Sequence, residues 1–106
     1  MKKELYGITR EDAADKNSYI LEYYLIEQEI ASEDTLRRGY GVEIKKIIPS
    51  VGRTIEETGS VCDVFANRGR AEQFIRLLTD CKVTPVHLKD ITIDFMNAEN
   101  DVLCTA

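Results

Sequence analysis

The sequence predicts an α+β fold: an antiparallel sheet of three to four strands followed by two C-terminal helices packed on one face, in the order β-β-β-α-α. Three observations predict it. The first two thirds of the chain hold runs rich in tyrosine, isoleucine and valine, residues that favour strands. At Asn67 the apolar period changes from two to about 3.6. A Thr84-Pro85 pair then divides the helical stretch in two. Strands followed by helices assemble as a sheet with the helices segregated to one side.

Each element has its own warrant. Residues 1–17 read as a polar N-terminal extension in which Leu5, Tyr6 and Ile8 allow a short extra strand. The run "DAADKNS" reads as a loop. "SYILEYYLIEQEIA" then reads as a long strand. Tyr19, Leu21, Tyr23 and Leu25 share one face of it; Ile20, Tyr24, Ile26 and Ile30 share the other. Either both faces are covered or the parity slips at a bulge near Ile26. "SEDTLRRG" is a polar connection to "YGVEIKKII", residues 40–48, where Tyr40, Val42 and Ile44 alternate with Gly41, Glu43 and Lys45. A connection this short pairs the two strands as an antiparallel hairpin. Pro49, lacking a ladder donor, ends the second. "SVGRTIEETGS" reads as a connection bent at Gly52 and Gly59. "SVCDVFA", residues 60–66, supplies the third strand, with Val61, Asp63 and Phe65 on one face.

Asn67 is placed to cap a helix over 68–80, because its side-chain oxygen can accept an orphan backbone N–H. Ala71, Phe74, Ile75 and Leu78 form its apolar stripe, widened by Leu77 and Cys81. Thr84 is the expected cap of the second helix and Pro85 its first residue. Leu88, Ile91 and Phe95 recur at core-facing spacing, with Val86 and Met96 at the margin. The domain proper spans 18–97, and residues 98–106 form an acidic tail that frays after Asn97.

Composition bounds the function. At 106 residues, with 43% hydrophobic and 31% charged residues, the chain suits one globular domain with one core. No apolar run approaches the ~20 residues that cross a bilayer. "MKKELYG" has no apolar stretch behind its lysines, so no secretory signal is read and a cytoplasmic location is expected. Cys62, Cys81 and Cys104 form no CxxC, and buried free thiols are the expectation. The net charge of −5 argues against broad nucleic-acid binding. It is uneven, however: residues 36–90 carry ten bases against seven acids, which leaves room for a local anion site.

The segments "YYLIEQEI", "YGVEI" with its following Lys-Lys, and above all "VTPVHLKD" leading into "ITIDFM" resemble a family of short clostridial proteins described only as a domain of unknown function (domain of unknown function 6514). The resemblance covers roughly residues 19–96. It implies a small bacterial cytosolic protein and brings no activity, cofactor or catalytic residue with it.

Three groups of residues carry candidate chemistry. His87, the single histidine, lies three positions before Asp90 and near Cys81; such a set can in principle pair a nucleophile with an oriented base. A structural role at the interhelical turn is the plainer expectation, and no oxyanion donor is advertised. The spacing of Cys81, His87 and Asp90 fits no common zinc pattern, so no metal and no cofactor is expected. "NRGRAEQ" places Arg68, Gly69 and Arg70 at a helix N-terminus, where N–H groups and guanidinium groups attract anions. Bases there oppose the helix dipole, a misfit that an anion would relieve. Arg53 and Lys46 are further bases for such a site. Tyr19, Tyr23, Tyr24 and Tyr40 either fill the core or stack nucleobases. Helices cover one face of a sheet, so an apolar second face calls for a partner, and a second copy is the simplest one. The favoured function is therefore a non-catalytic protein-interaction module, homodimeric through a sheet face or edge. Anion or nucleic-acid binding through Arg68 and Arg70 is the alternative, and a small enzyme using Cys81, His87 and Asp90 comes third.

Overall fold

Four strands follow one another as a meander: β1 (Lys2–Asp12), β2 (Ser18–Ser32), β3 (Thr35–Ser50) and β4 (Arg53–Phe65). They are hydrogen-bonded in the order β1-β2-β3-β4, every pair antiparallel. Two helices follow, α1 (Arg68–Asp80) and α2 (Leu88–Thr105), joined through a 3-10 turn at Pro85–His87. The computed structural model describes the backbone of residues 1–12, 18–50 and 52–105, and the side chains of these except 12, 32 and 98–105. The predicted layout, an antiparallel sheet followed by two helices on one face, is the observed one.

The core lies between the helices and one sheet face. Leu21, Tyr23 and Leu25 of β2 and Tyr40, Val42 and Ile44 of β3 meet Ala71, Phe74, Ile75 and Leu78 of α1 and Leu88 of α2. Phe65, Phe74 and Phe95 form a ring cluster with centroids 4.9–5.9 Å apart, the spacing at which tilted and edge-on rings attract. Asn67 caps α1 as expected, its side chain accepting from the Arg70 N–H at 2.8 Å. The helix closes with a Schellman arrangement in which Val83 N–H donates to the Leu78 carbonyl and Lys82 N–H to the Thr79 carbonyl. Lys82 takes the left-handed φ of 55° that this closure needs. The Tyr23 hydroxyl donates to the Val83 carbonyl at 3.0 Å and so ties the sheet to the interhelical joint.

Several local expectations are corrected. The extension before Tyr19 includes a full edge strand, β1. The connection read at "SEDTLRRG" shrinks to a two-residue turn at Glu33–Asp34, because Ser32 pairs with Thr35 and the ladder runs to the hairpin tip. Pro49 does not end β3; it pairs with Thr54 beyond the last β2 partner, Ile47, where the missing donor costs no bond on that side. β4 starts at Arg53, not Ser60. Gly59 is no bend but a strand residue under the 3-10 turn; a Cβ there would stand 2.8 Å from the Pro85 carbonyl oxygen. The register of β2 with β3 is unbroken through Ile26. The irregularities fall instead at Tyr6 of β1 and after Val61 of β4. The β4 bulge turns Asp63 to a φ of 54° and away from the face it was expected to share with Val61 and Phe65. It also folds over β3 so closely that a side chain at Gly41 would collide with the Val61 carbonyl.

The helices also differ at their margins. Thr84 makes no side-chain cap bond; its carbonyl accepts from His87 N–H, and the α-helix begins only at Leu88. Val86 is 75% exposed and Leu77 and Cys81 lie outside the stripe, while Thr92 is buried with its hydroxyl donating to the Leu88 carbonyl. Cys62 is likewise exposed, contrary to the expected buried thiol. α2 continues past Asn97 to Thr105.

Candidate functional site

Strand parity gives the sheet two unlike faces. The roofed face carries the core. The other face carries no layer among the described residues, and register places Lys3, Leu5, Ile8 and Arg10 of β1 on it beside Ile20, Glu22, Tyr24 and Ile26 of β2. Glu43, Lys45 and Ile47 of β3 continue the rows, followed by Glu56, Thr58 and Ser60 of β4.

Tyr24 is the centre of this open face. Its hydroxyl donates to Glu22 Oε1 at 2.8 Å. The ammonium groups of Lys3 and Lys45 stand 5.9 and 6.0 Å from its ring centroid, within cation–π range. Lys3 also reaches Glu43 Oε2 at 2.8 Å. The Glu22 hydrogen bond, with partial burial and the charges of Glu22, Glu43 and Glu56, pushes the Tyr24 phenol up to about 12. Ile26 is buried to 2% exposure although it lies outside the core cluster. Leu5 and Ile8, by contrast, are 49% and 57% exposed. The six charges here, Lys3, Arg10 and Lys45 against Glu22, Glu43 and Glu56, balance. At the far end Arg37 grips Asp63 through two bonds of 2.8 and 2.7 Å, which holds the Asp63 carboxyl below the usual carboxylate range.

The residues singled out from sequence are dispersed. Arg68 does stand at the start of α1, but its guanidinium is engaged by Glu4 at 2.7 Å and Glu72 at 2.8 Å. Hydrogen bonding and charge from Arg68 hold Glu4 below its ordinary range. The negative group that the basic N-terminus calls for is therefore supplied by β1 and by the helix itself. Arg70 donates to Gln73 at 3.3 Å and lies 5.7 Å from the Phe95 ring. Gly69 is exposed, and a Cβ there would meet nothing closer than 3.4 Å. Arg53 pairs with Ser50 at the β3–β4 hairpin, roughly 40 Å from Phe65 at the usual strand rise. Lys46 lies 4.5 Å over the Tyr19 ring. His87, Cys81 and Asp90 are all exposed, and no hydrogen bond or ion pair joins them among the described residues. No group of three potential metal ligands occurs among those residues either. The tyrosines divide between faces: Tyr23 and Tyr40 are buried, Tyr19 packs beside them, and Tyr24 stands opposite.

One cleft escapes sequence reasoning. β1 starts opposite Glu27, so the β2–β3 hairpin projects beyond it as a two-stranded ribbon. An open cleft of about 470 Å3 lies at that step, lined by Met1, Lys2, Glu27, Gln28, Glu29 and Arg38. Arg38 and Glu27 pair across it at 3.2 Å. Its signal is a register, which residue spacing alone does not reveal. The lining offers paired charges and no thiol, hydroxyl or imidazole.

The fold and its surfaces define a small α+β chain with a one-sided helical roof and no assembled catalytic constellation among the described residues. The chain belongs to the family of unknown function DUF6514, whose profile matches residues 2–98. That match takes in β1, which the sequence resemblance left out. No curated protein and no solved structure matches the chain. No helix among the described residues is long and apolar enough to cross a membrane.

Proposed function

We propose that the chain is a non-catalytic protein-interaction module that acts as a homodimer and offers its open sheet face to a protein partner. The observation that carries this reading is a four-stranded sheet that, among the described residues, is roofed on one side only. Its other side combines exposed Leu5 and Ile8 with a neutral set of charges around Tyr24. A face with apolar contacts and both signs of charge suits a protein surface better than a polyanion, which requires clustered bases. The exposed free thiols of Cys62 and Cys81 support a reducing, cytoplasmic setting.

The anion-binding alternative draws less support, since Arg68 already holds two carboxylates and Arg53 lies at the other end of β4. An enzyme built on Cys81, His87 and Asp90 draws least, because the three are exposed and unjoined. The test is affinity capture from the source bacterium, comparing the wild type with a Leu5→Glu/Ile8→Glu variant of unchanged circular dichroism. A protein retained by the wild type and lost by the variant is the expected result. Equal retention by both, or none by either, ends the reading.

A further inference from the structure

The two edges of the sheet differ in kind. β1 is broken by its bulge at Tyr6 and studded with Lys2, Lys3, Glu4, Arg10 and Glu11, devices that discourage strand addition. β4 is regular where β1 is not. Its register with β3 runs without a break from Ser50–Arg53 to Val42–Val61. No strand covers its outer side among the described residues. Over Arg53–Thr58 every side chain is exposed, and the roof first reaches the strand at Gly59, under Pro85.

A second copy can add to this edge antiparallel, about a twofold axis normal to the sheet. Opposed residues must then face the same side, so the axis falls on a residue of β4. On Glu56 or Glu57 it sets a carboxylate against its own copy. On Thr58 or Gly59 no unlike charges meet within the regular stretch. On Ile55 it sets Arg53 opposite Glu57 of the second copy and Thr54 opposite Glu56, each pair occurring twice, with Ile55 against Ile55. Ile55 is an exposed apolar residue, paired within its own chain to half-buried Ile48. The Ile55 register would extend that pair into one row of four isoleucines across the join.

We infer that β4 is the homodimer edge, pairing antiparallel with β4 of a second copy about Ile55 to give one eight-stranded sheet. The inference rests on the homodimer reading above. It leaves both roofs on one side and both open faces on the other, so a partner meets a surface of double width. Five opposed pairs make a short join, and the dimer dissociates on dilution.

The experiment places Ile55→Cys in the full chain carrying Cys62→Ser, Cys81→Ser and Cys104→Ser, treated with diamide. Identical residues on the axis lie about 4.5–5.5 Å apart between Cα atoms, inside disulfide reach. A covalent dimer is expected on a non-reducing gel, with Ile8→Cys and Thr58→Cys remaining monomeric in the same background. Light scattering adds an independent arm. Glu57→Arg should weaken the dimer by about tenfold or more, and Arg53→Glu/Glu57→Arg should restore it, because opposed charges are exchanged rather than removed. A dimer by light scattering without the Ile55→Cys cross-link overturns the edge and leaves the homodimer reading standing. Cross-linking at Ile8→Cys instead moves the contact to the open face and also overturns it. A monomer at every concentration overturns both readings.

Discussion

Tyr23 and Tyr24 are neighbours in sequence and stand on opposite faces of one strand. Both phenols are pushed up to about 12, yet for different reasons. Tyr23 is fully buried beneath the helices, and loss of solvent is the leading cause. Tyr24 lies on the open face, and its hydrogen bond to Glu22 is the leading cause. The contrast extends to the faces themselves. One is held by packing, in which each side chain fills a space that nothing else can fill. The other is held by charges and hydrogen bonds near water, which rearrange at small cost.

The packing side should respond most. Phe74→Ala empties the centre of the three-ring cluster and should cost about 3–5 kcal/mol in urea unfolding. Ile8→Ala on the open face should stay within about 0.5 kcal/mol; a comparable loss there would erase the distinction between the faces. The tyrosines give the next largest difference. Tyr23→Phe leaves the Val83 carbonyl without its donor inside the protein and should cost about 1–3 kcal/mol, whereas Tyr24→Phe should change stability little.

Titration separates the two causes. Glu22→Gln should return Tyr24 toward its usual 10 while Tyr23 stays near 12, read as phenolate absorbance against pH; a joint shift would mean one shared cause. Both folded values lie above the unfolded one. Their contribution to stability is therefore complete below about pH 10 and lost as pH rises through 12. Glu4 shows the opposite sign and the smallest effect. Arg68 lowers its folded value, so its contribution is present above the unfolded carboxylate range and fades as pH falls through the lowered one. In Arg68→Ala the Glu4 carboxyl should titrate at higher pH by NMR, with acid stability barely altered.

The same division governs what the sequence reveals. The roofed face is legible because packing leaves a period: Leu21, Tyr23 and Leu25 alternate, and Ala71, Phe74, Ile75 and Leu78 recur one helical turn apart. Asn67 is legible as a cap because its bond is local. β1 is legible only as a short strand at Leu5, Tyr6 and Ile8, since the bulge at Tyr6 flips its parity halfway and an edge carries charges on both sides. The first half of β4 hides for a related reason: the Glu56-Glu57 pair and Gly59 resemble a loop unless Pro85 is known to lie above. Arg68 reads as a vacant anion site because its partner Glu4 lies 64 residues away in the chain. An ion pair between distant segments leaves no periodic trace.

The meander order has a consequence for biosynthesis. Each strand neighbours the one made just before it, so the sheet can zip hairpin by hairpin as the chain leaves the ribosome, with little loop-closure cost. The roof is encoded after the sheet. Leu21, Tyr23, Leu25, Val42 and Ile44 must therefore wait, uncovered, until α1 emerges more than twenty residues after Ile44. A nonsense codon between Phe65 and Asp80 would release a finished sheet with its greasiest side bare, the species that chaperones would most need to catch.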